Sequence, residues 1–145
     1  MICSYEQLNF FFSTRHESPP PPRMLPLLER LKNTYLLWYG YYQILPKPHR
    51  YTLGEKIDML FIEIIEAVST ASFVPGTQKI PFVILAIRKV DALKILLMVL
   101  WETKSLETKR YIALSRPIEE VGKMLGGWSG QLHRQNSPEQ SGEKG

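Results

Sequence analysis

Between residues 24 and 128 the apolar side chains recur at alternating steps of three and four, in four separate runs closed by turn-forming residues. That spacing marks one face of a helix, and strand-type alternation is absent. The first run is Leu28, Leu31, Tyr35, Trp38, Tyr42 and Leu45, on a helix predicted over residues 24–45 with Pro26 tolerated near its start. The second is Leu53, Ile57, Leu60, Ile64, Ala67 and Ala71. The third, predicted over residues 78–103, has Leu85, Lys89, Leu93, Leu96 and Leu100 near one seam, with Ala86 and Leu97 beside it. The fourth, over residues 108–125, has Tyr111, Leu114, Ile118, Val121 and Leu125.

The punctuation between the runs is equally specific. Pro46 and Pro48 predict a loop over residues 46–51. Thr52 with Glu55 three residues on has capping-box spacing and predicts the start of the second helix. Gly54 in that first turn suits either a close approach by a neighbouring chain or helix or a tolerated weakness costing about 1 kcal/mol relative to alanine. Val74-Pro75-Gly76-Thr77 is a turn, residues 105–108 form another break, and Gly126-Gly127 is expected to stop the fourth helix. Short connections make sequential helices neighbours of opposite direction. The expected fold is therefore all-α, an antiparallel up-down-up-down four-helix bundle over residues 24–128. Residues 1–23, with Phe10-Phe11-Phe12 and Pro19 to Pro22, and the polar residues 129–145 read as disordered tails.

The chemistry in the sequence is sparse. Of three histidines, His16 and His133 lie in the tails and His49 in a loop, so the Glu-x-x-His pairs of a di-iron bundle are missing. Glu63 and Glu66 share a helix face and read as solvated charge. No phosphate-cradling loop or nucleophile elbow appears. The expectation is a protein that is not an enzyme, with no cofactor and no metal. Cys3 stands alone and fits a reducing, cytoplasmic setting. The stretch Ile80–Trp101 has the length of a membrane span, but Arg88, Lys89, Asp91 and Lys94 interrupt it. Each costs roughly 2.5–3.5 kcal/mol in a bilayer centre, so no membrane role is expected.

Basic charge is the remaining signal. The chain carries a formal +4. Residues 24–128 hold 14 basic and 10 acidic side chains, so the whole excess belongs to the folded part. Lys47 and Arg50 cluster in the first loop beside His49. Arg88, Lys89 and Lys94 lie on the third helix, and Lys109, Arg110, Arg116 and Lys123 on the fourth. Such charges release counterions from a phosphate backbone, which would give salt-sensitive, sequence-independent binding of RNA or DNA; on composition alone they fit ordinary solubilising charge equally well. Aromatics wrap more than one face of the first helix, so Tyr39 and Tyr41 are candidates for an interface between copies.

The order Pro46-Lys47-Pro48-His49-Arg50-Tyr51-Thr52-Leu53-Gly54-Glu55-Lys56-Ile57, then Glu63-Ile64-Ile65-Glu66-Ala67, then Ile118-Glu119-Glu120-Val121-Gly122-Lys123-Met124-Leu125-Gly126-Gly127-Trp128, resembles the Avd-type family. These are the accessory variability determinants of diversity-generating retroelements. The resemblance covers residues 24–128. It implies a barrel-like homopentamer of bundles with a basic surface, associated with a reverse transcriptase and with template RNA or DNA. It extends the nucleic-acid role to Lys47, Arg50, Lys56, Arg88, Lys89, Lys94 and Lys123, and Trp128 joins the expected oligomer interface. Two rival expectations stand beside it: a bundle associated with ribosomal RNA, like the proteins of 23S intervening sequences, and a protein-only scaffold.

Overall fold

The computed structural model describes residues 24–136; the predicted tail over 1–23 and residues 137–145 lie outside them. Among the described residues there are four long helices and no strand: α1 Met24–Gln43, α2 Glu55–Phe73, α3 Lys79–Glu102 and α4 Thr108–Gln135. Helix α1 packs on α2, α2 on α3, α3 on α4, and α4 back on α1, so the four close around one core. The bundle expected from the apolar runs is thus present as an all-helical core.

Across α1, α2 and α4 most of the predicted seam is buried in the core. Leu31, Trp38 and Leu45 are buried from the first helix and its exit, and Ile57, Leu60, Ile64, Ala67 and Ala71 from α2. Leu114, Ile118, Val121 and Leu125 follow from α4. Full burial of each large aliphatic or aromatic side chain is worth about 1.5–3 kcal/mol. Phe61 anchors the α1–α2 contact. It stacks on Trp38 at 6.1 Å between ring centres and meets Tyr35 edge-on at 5.8 Å. The Trp38 indole N–H donates to Asp58 Oδ1 at 3.2 Å, so its one polar atom is satisfied. Burial, and after it the Asp58 carboxylate, hold the Tyr35 and Tyr42 phenols above their usual range. Both rings therefore ionise at a higher pH than a free tyrosine.

Four expectations are corrected. First, residues 46–51 are not a loop. Lys47–His49 is a short α turn, Arg50–Gly54 a π-type turn, and the chain runs from there directly into α2. The prolines do not prevent this. Pro46 sits at the N-cap and Pro48 in the first turn, where no amide bond is lost. Second, the Thr52–Glu55 capping box does not form. Thr52 lies within the π turn and its hydroxyl donates to the Pro48 carbonyl at 2.9 Å. Third, the buried face of α3 is Val83, Ala86, Val90, Leu93, Leu97 and Leu100, while Leu85 is exposed. The helix is apolar nearly all round, so periodicity alone does not single out the inner face. Fourth, α4 does not stop at Gly126-Gly127 but runs on to Gln135, and Trp128 lies inside it. Neither glycine adopts a positive φ, the signature of a glycine cap. Trp128 and Leu132 continue the apolar seam of Val121 and Leu125, which keeps the extra turns against the core.

The connections are compact. Lys79 Nζ reaches back to the Ala71 carbonyl at 2.9 Å, placing a cation at the carboxyl end of α2. Between α3 and α4, Lys104 adopts φ 64° and the buried Leu106 plugs the corner. The His49 ring bonds to the Ser105 hydroxyl, joining the α1–α2 connection to the α3–α4 connection.

Candidate nucleic-acid interface

The ten expected basic residues divide into two groups. Four are engaged within the chain. Arg50 Nη2 donates to the Leu45 carbonyl at 2.8 Å, closing the end of the first helical segment. Lys89 Nζ pairs with Glu63 at 2.7 Å across the α2–α3 groove, which also matches one of the two carboxylates on that α2 face. Lys94 Nζ lies 3.3 Å from Glu119 across α3–α4. The Arg110 guanidinium sits 5.2 Å above the centre of the Tyr41 ring. The last three of these contacts join neighbouring helices, and the Arg50 bond stays within its own segment.

The other six, Lys47, Lys56, Arg88, Lys109, Arg116 and Lys123, are exposed, and none lies within ion-pair distance of a carboxylate among the described residues. Three of them form a line. Lys109, Arg116 and Lys123 recur every seven residues on α4, two helical turns and about 10.5 Å apart, so they share a face. That face points away from the core, because Leu114, Ile118, Val121 and Leu125 occupy the opposite one.

Sequence reasoning missed a fourth member. Arg134 is exposed and falls on the same face, eleven residues beyond Lys123. The expected stop at Gly126 hid it, although Trp128 and Leu132 signalled that the helix continues. Gly127 and Gly130 lie on the same face between them, and a β-carbon at either would touch nothing within 4 Å. The line of four cations is therefore about 37 Å long, with a bare backbone patch in its last third.

The two acidic residues of α4 are paired across helices. Glu119 turns towards Lys94 of α3, whereas Glu120 lies on the stripe's own face, four residues after Arg116 and three before Lys123, with its carboxylate paired to Arg30 of α1.

Comparison with known proteins gives no match. No family model fits the chain, and no curated protein or solved structure was found to be similar to it.

The remaining expected residues are not brought to the stripe. Arg88 points outward from α3, beside Leu85 and Ile95. Lys47 and Lys56 lie in and just after the α1–α2 connection. Lys47 belongs to the end of the molecule where the His49–Ser105 bond ties the connections together, the end at which α4 begins. Of the expected interface aromatics, Tyr39 is exposed, whereas Tyr41 and Trp128 pack against their own core. Among the described residues no group of three histidine, cysteine or acidic side chains is placed to hold a metal ion. No described helix is long and apolar enough to cross a membrane.

Proposed function

We propose that this protein is a non-catalytic accessory that binds RNA or DNA by its backbone along the outer face of α4. The single observation that carries the reading is the line of Lys109, Arg116, Lys123 and Arg134, exposed, without an ion-pair partner among the described residues and spaced along one helix face. A phosphate chain running beside it neutralises several cations at once and releases their counterions. Contacts of this kind orient the nucleic acid without reading its sequence.

The wider role is to serve a reverse transcriptase copying a template, as the resemblance to the Avd-type family implies. A reverse transcriptase gene beside this one, with paired template and variable repeats, is the genomic setting expected. The up-down-up-down course belongs to the same proposal. It is supported by two α1–α4 contacts: Tyr41 near the end of α1 meets Arg110 near the start of α4, and Arg30 near the start of α1 meets Glu120 further along α4. Self-association is part of the reading as well, supported by Tyr39 and by an exposed apolar run on α3. The five-membered ring that the resemblance implies needs two unlike faces that fit one another, which one self-complementary face does not supply.

The test is binding of generic RNA and DNA by the full chain at about 50 mM salt and above, where counterion release is first strong and then weakened. The expected result is an affinity that falls steeply with salt. The variant Arg116→Glu with Lys123→Glu should weaken binding and lower the salt slope by about two, one for each lost phosphate contact. Circular dichroism should show its helix content unchanged. No binding at low salt, or an unaltered slope in the variant, overturns the proposal in favour of a protein-only scaffold.

A further inference from the structure

Helix α3 carries two seams. The inner one faces the core, and the outer one has the same alternation of three and four: Leu85, Arg88, Ala92, Ile95 and Val99. Leu85 is 41% exposed and Ile95 55%. Val99 is half-buried and Leu85 also borders the α2–α3 groove, so the exposed apolar part of this seam is Leu85, Ala92 and Ile95; apolar side chains at this period are what a second helix covers in a coiled coil.

The stripe is also self-complementary. Let the α3 helices of two copies cross in opposite directions about Val90. Leu85 of each copy then lies opposite Ile95 of the other. Arg88 of each lies opposite Ala92 of the other, whose methyl leaves room for a long side chain, and one position from Asp91. Asp91 is exposed on the same side of α3 and has no cation within ion-pair distance among the described residues. Two arginines and two aspartates alternate around the two-fold axis, with an apolar pair at each end. Like charges facing each other would repel, so this alternation selects the opposed direction over the parallel one.

We infer that the outer face of α3 is an isologous interface and that the protein pairs with a second copy of itself through it. The contact leaves the α4 stripe of each copy uncovered, since that stripe lies on a different helix. The inference stands apart from the nucleic-acid reading, because its readout is particle mass.

The experiment uses the full chain in native mass spectrometry and sedimentation. The wild type should be a two-chain particle. Ile95→Glu, which puts a carboxylate in the apolar pair, should weaken association about tenfold or more while circular dichroism stays unchanged. The charge pair gives a sharper test. Arg88→Asp alone places four acids at the axis, and Asp91→Arg alone places four bases, so each should dissociate. Mixed one to one, the two variants should form a heterodimer, because every contact at the axis is again between opposite charges. A wild-type monomer, a particle of five chains, or two variants that stay separate when mixed would each overturn the inference.

Discussion

At Gly54 a hydrogen stands where any other residue would set a carbon 2.9 Å from Tyr42 Cε2, 3.0 Å from the His49 carbonyl oxygen and 3.1 Å from Leu45 Cδ1. Its φ of −61° is ordinary, so the position requires space and not an unusual backbone. The Tyr42 ring has room to swing, but the His49 carbonyl is backbone within the adjoining turn and does not move cheaply. Gly54→Ala should therefore destabilise the fold by about 1–3 kcal/mol, the usual cost of overpacking, measured by denaturant titration. The close approach was legible in the sequence only as one of two readings, the other being a tolerated weakness. Its partners were not, since nothing in the spacing of residues 46–54 announces a π turn. The same applies to Arg50. As a cation in a proline-flanked segment it reads as a binding residue, yet the helical course of that segment folds its guanidinium onto the Leu45 carbonyl.

The elements were legible where one apolar face dominates and illegible where two compete. On α2 and α4 polar residues cover the outer face, and the predicted seams are the buried ones. On α3 the outer face is also apolar, so the period was visible but the phase was not, and Leu85 was assigned inward. The end of α4 failed for a different reason. Glycine was read as a stop, but a glycine stop needs a left-handed residue, and Gly126 and Gly127 remain helical. They act instead as weak links. Gly127 has no neighbour within 4 Å of a would-be β-carbon, so Gly127→Ala should stabilise the chain by about 0.5–1 kcal/mol, opposite in sign to the change at Gly54. Thermal unfolding of the two variants side by side checks both signs.

For the molecule as a whole, the closed order of contacts sets α1 diagonal to α3 and α2 diagonal to α4. The apolar outer face of α3 and the basic outer face of α4 are therefore neighbours, turned in different directions, and pairing through one leaves the other open. Net charge, the feature most visible in the sequence, said little about this. A formal +4 is mild, and of the ten expected cations three are occupied between helices and a fourth, Arg50, within its own connection. What matters is that the free ones on α4 share a side. Gly126, Gly127 and Gly130 then acquire a meaning for the intact particle. Three unbranched positions in five leave the closing turns of α4 held chiefly by Trp128 and Leu132, so those turns should breathe while the remainder stays shut. A protease added sparingly under native conditions should nick beyond Leu125 first, which mass spectrometry of the fragments would register. The trimmed body would keep Lys109, Arg116 and Lys123 but shed Arg134, so clipping alone would loosen the grip on a polyanion by one step without dismantling the fold.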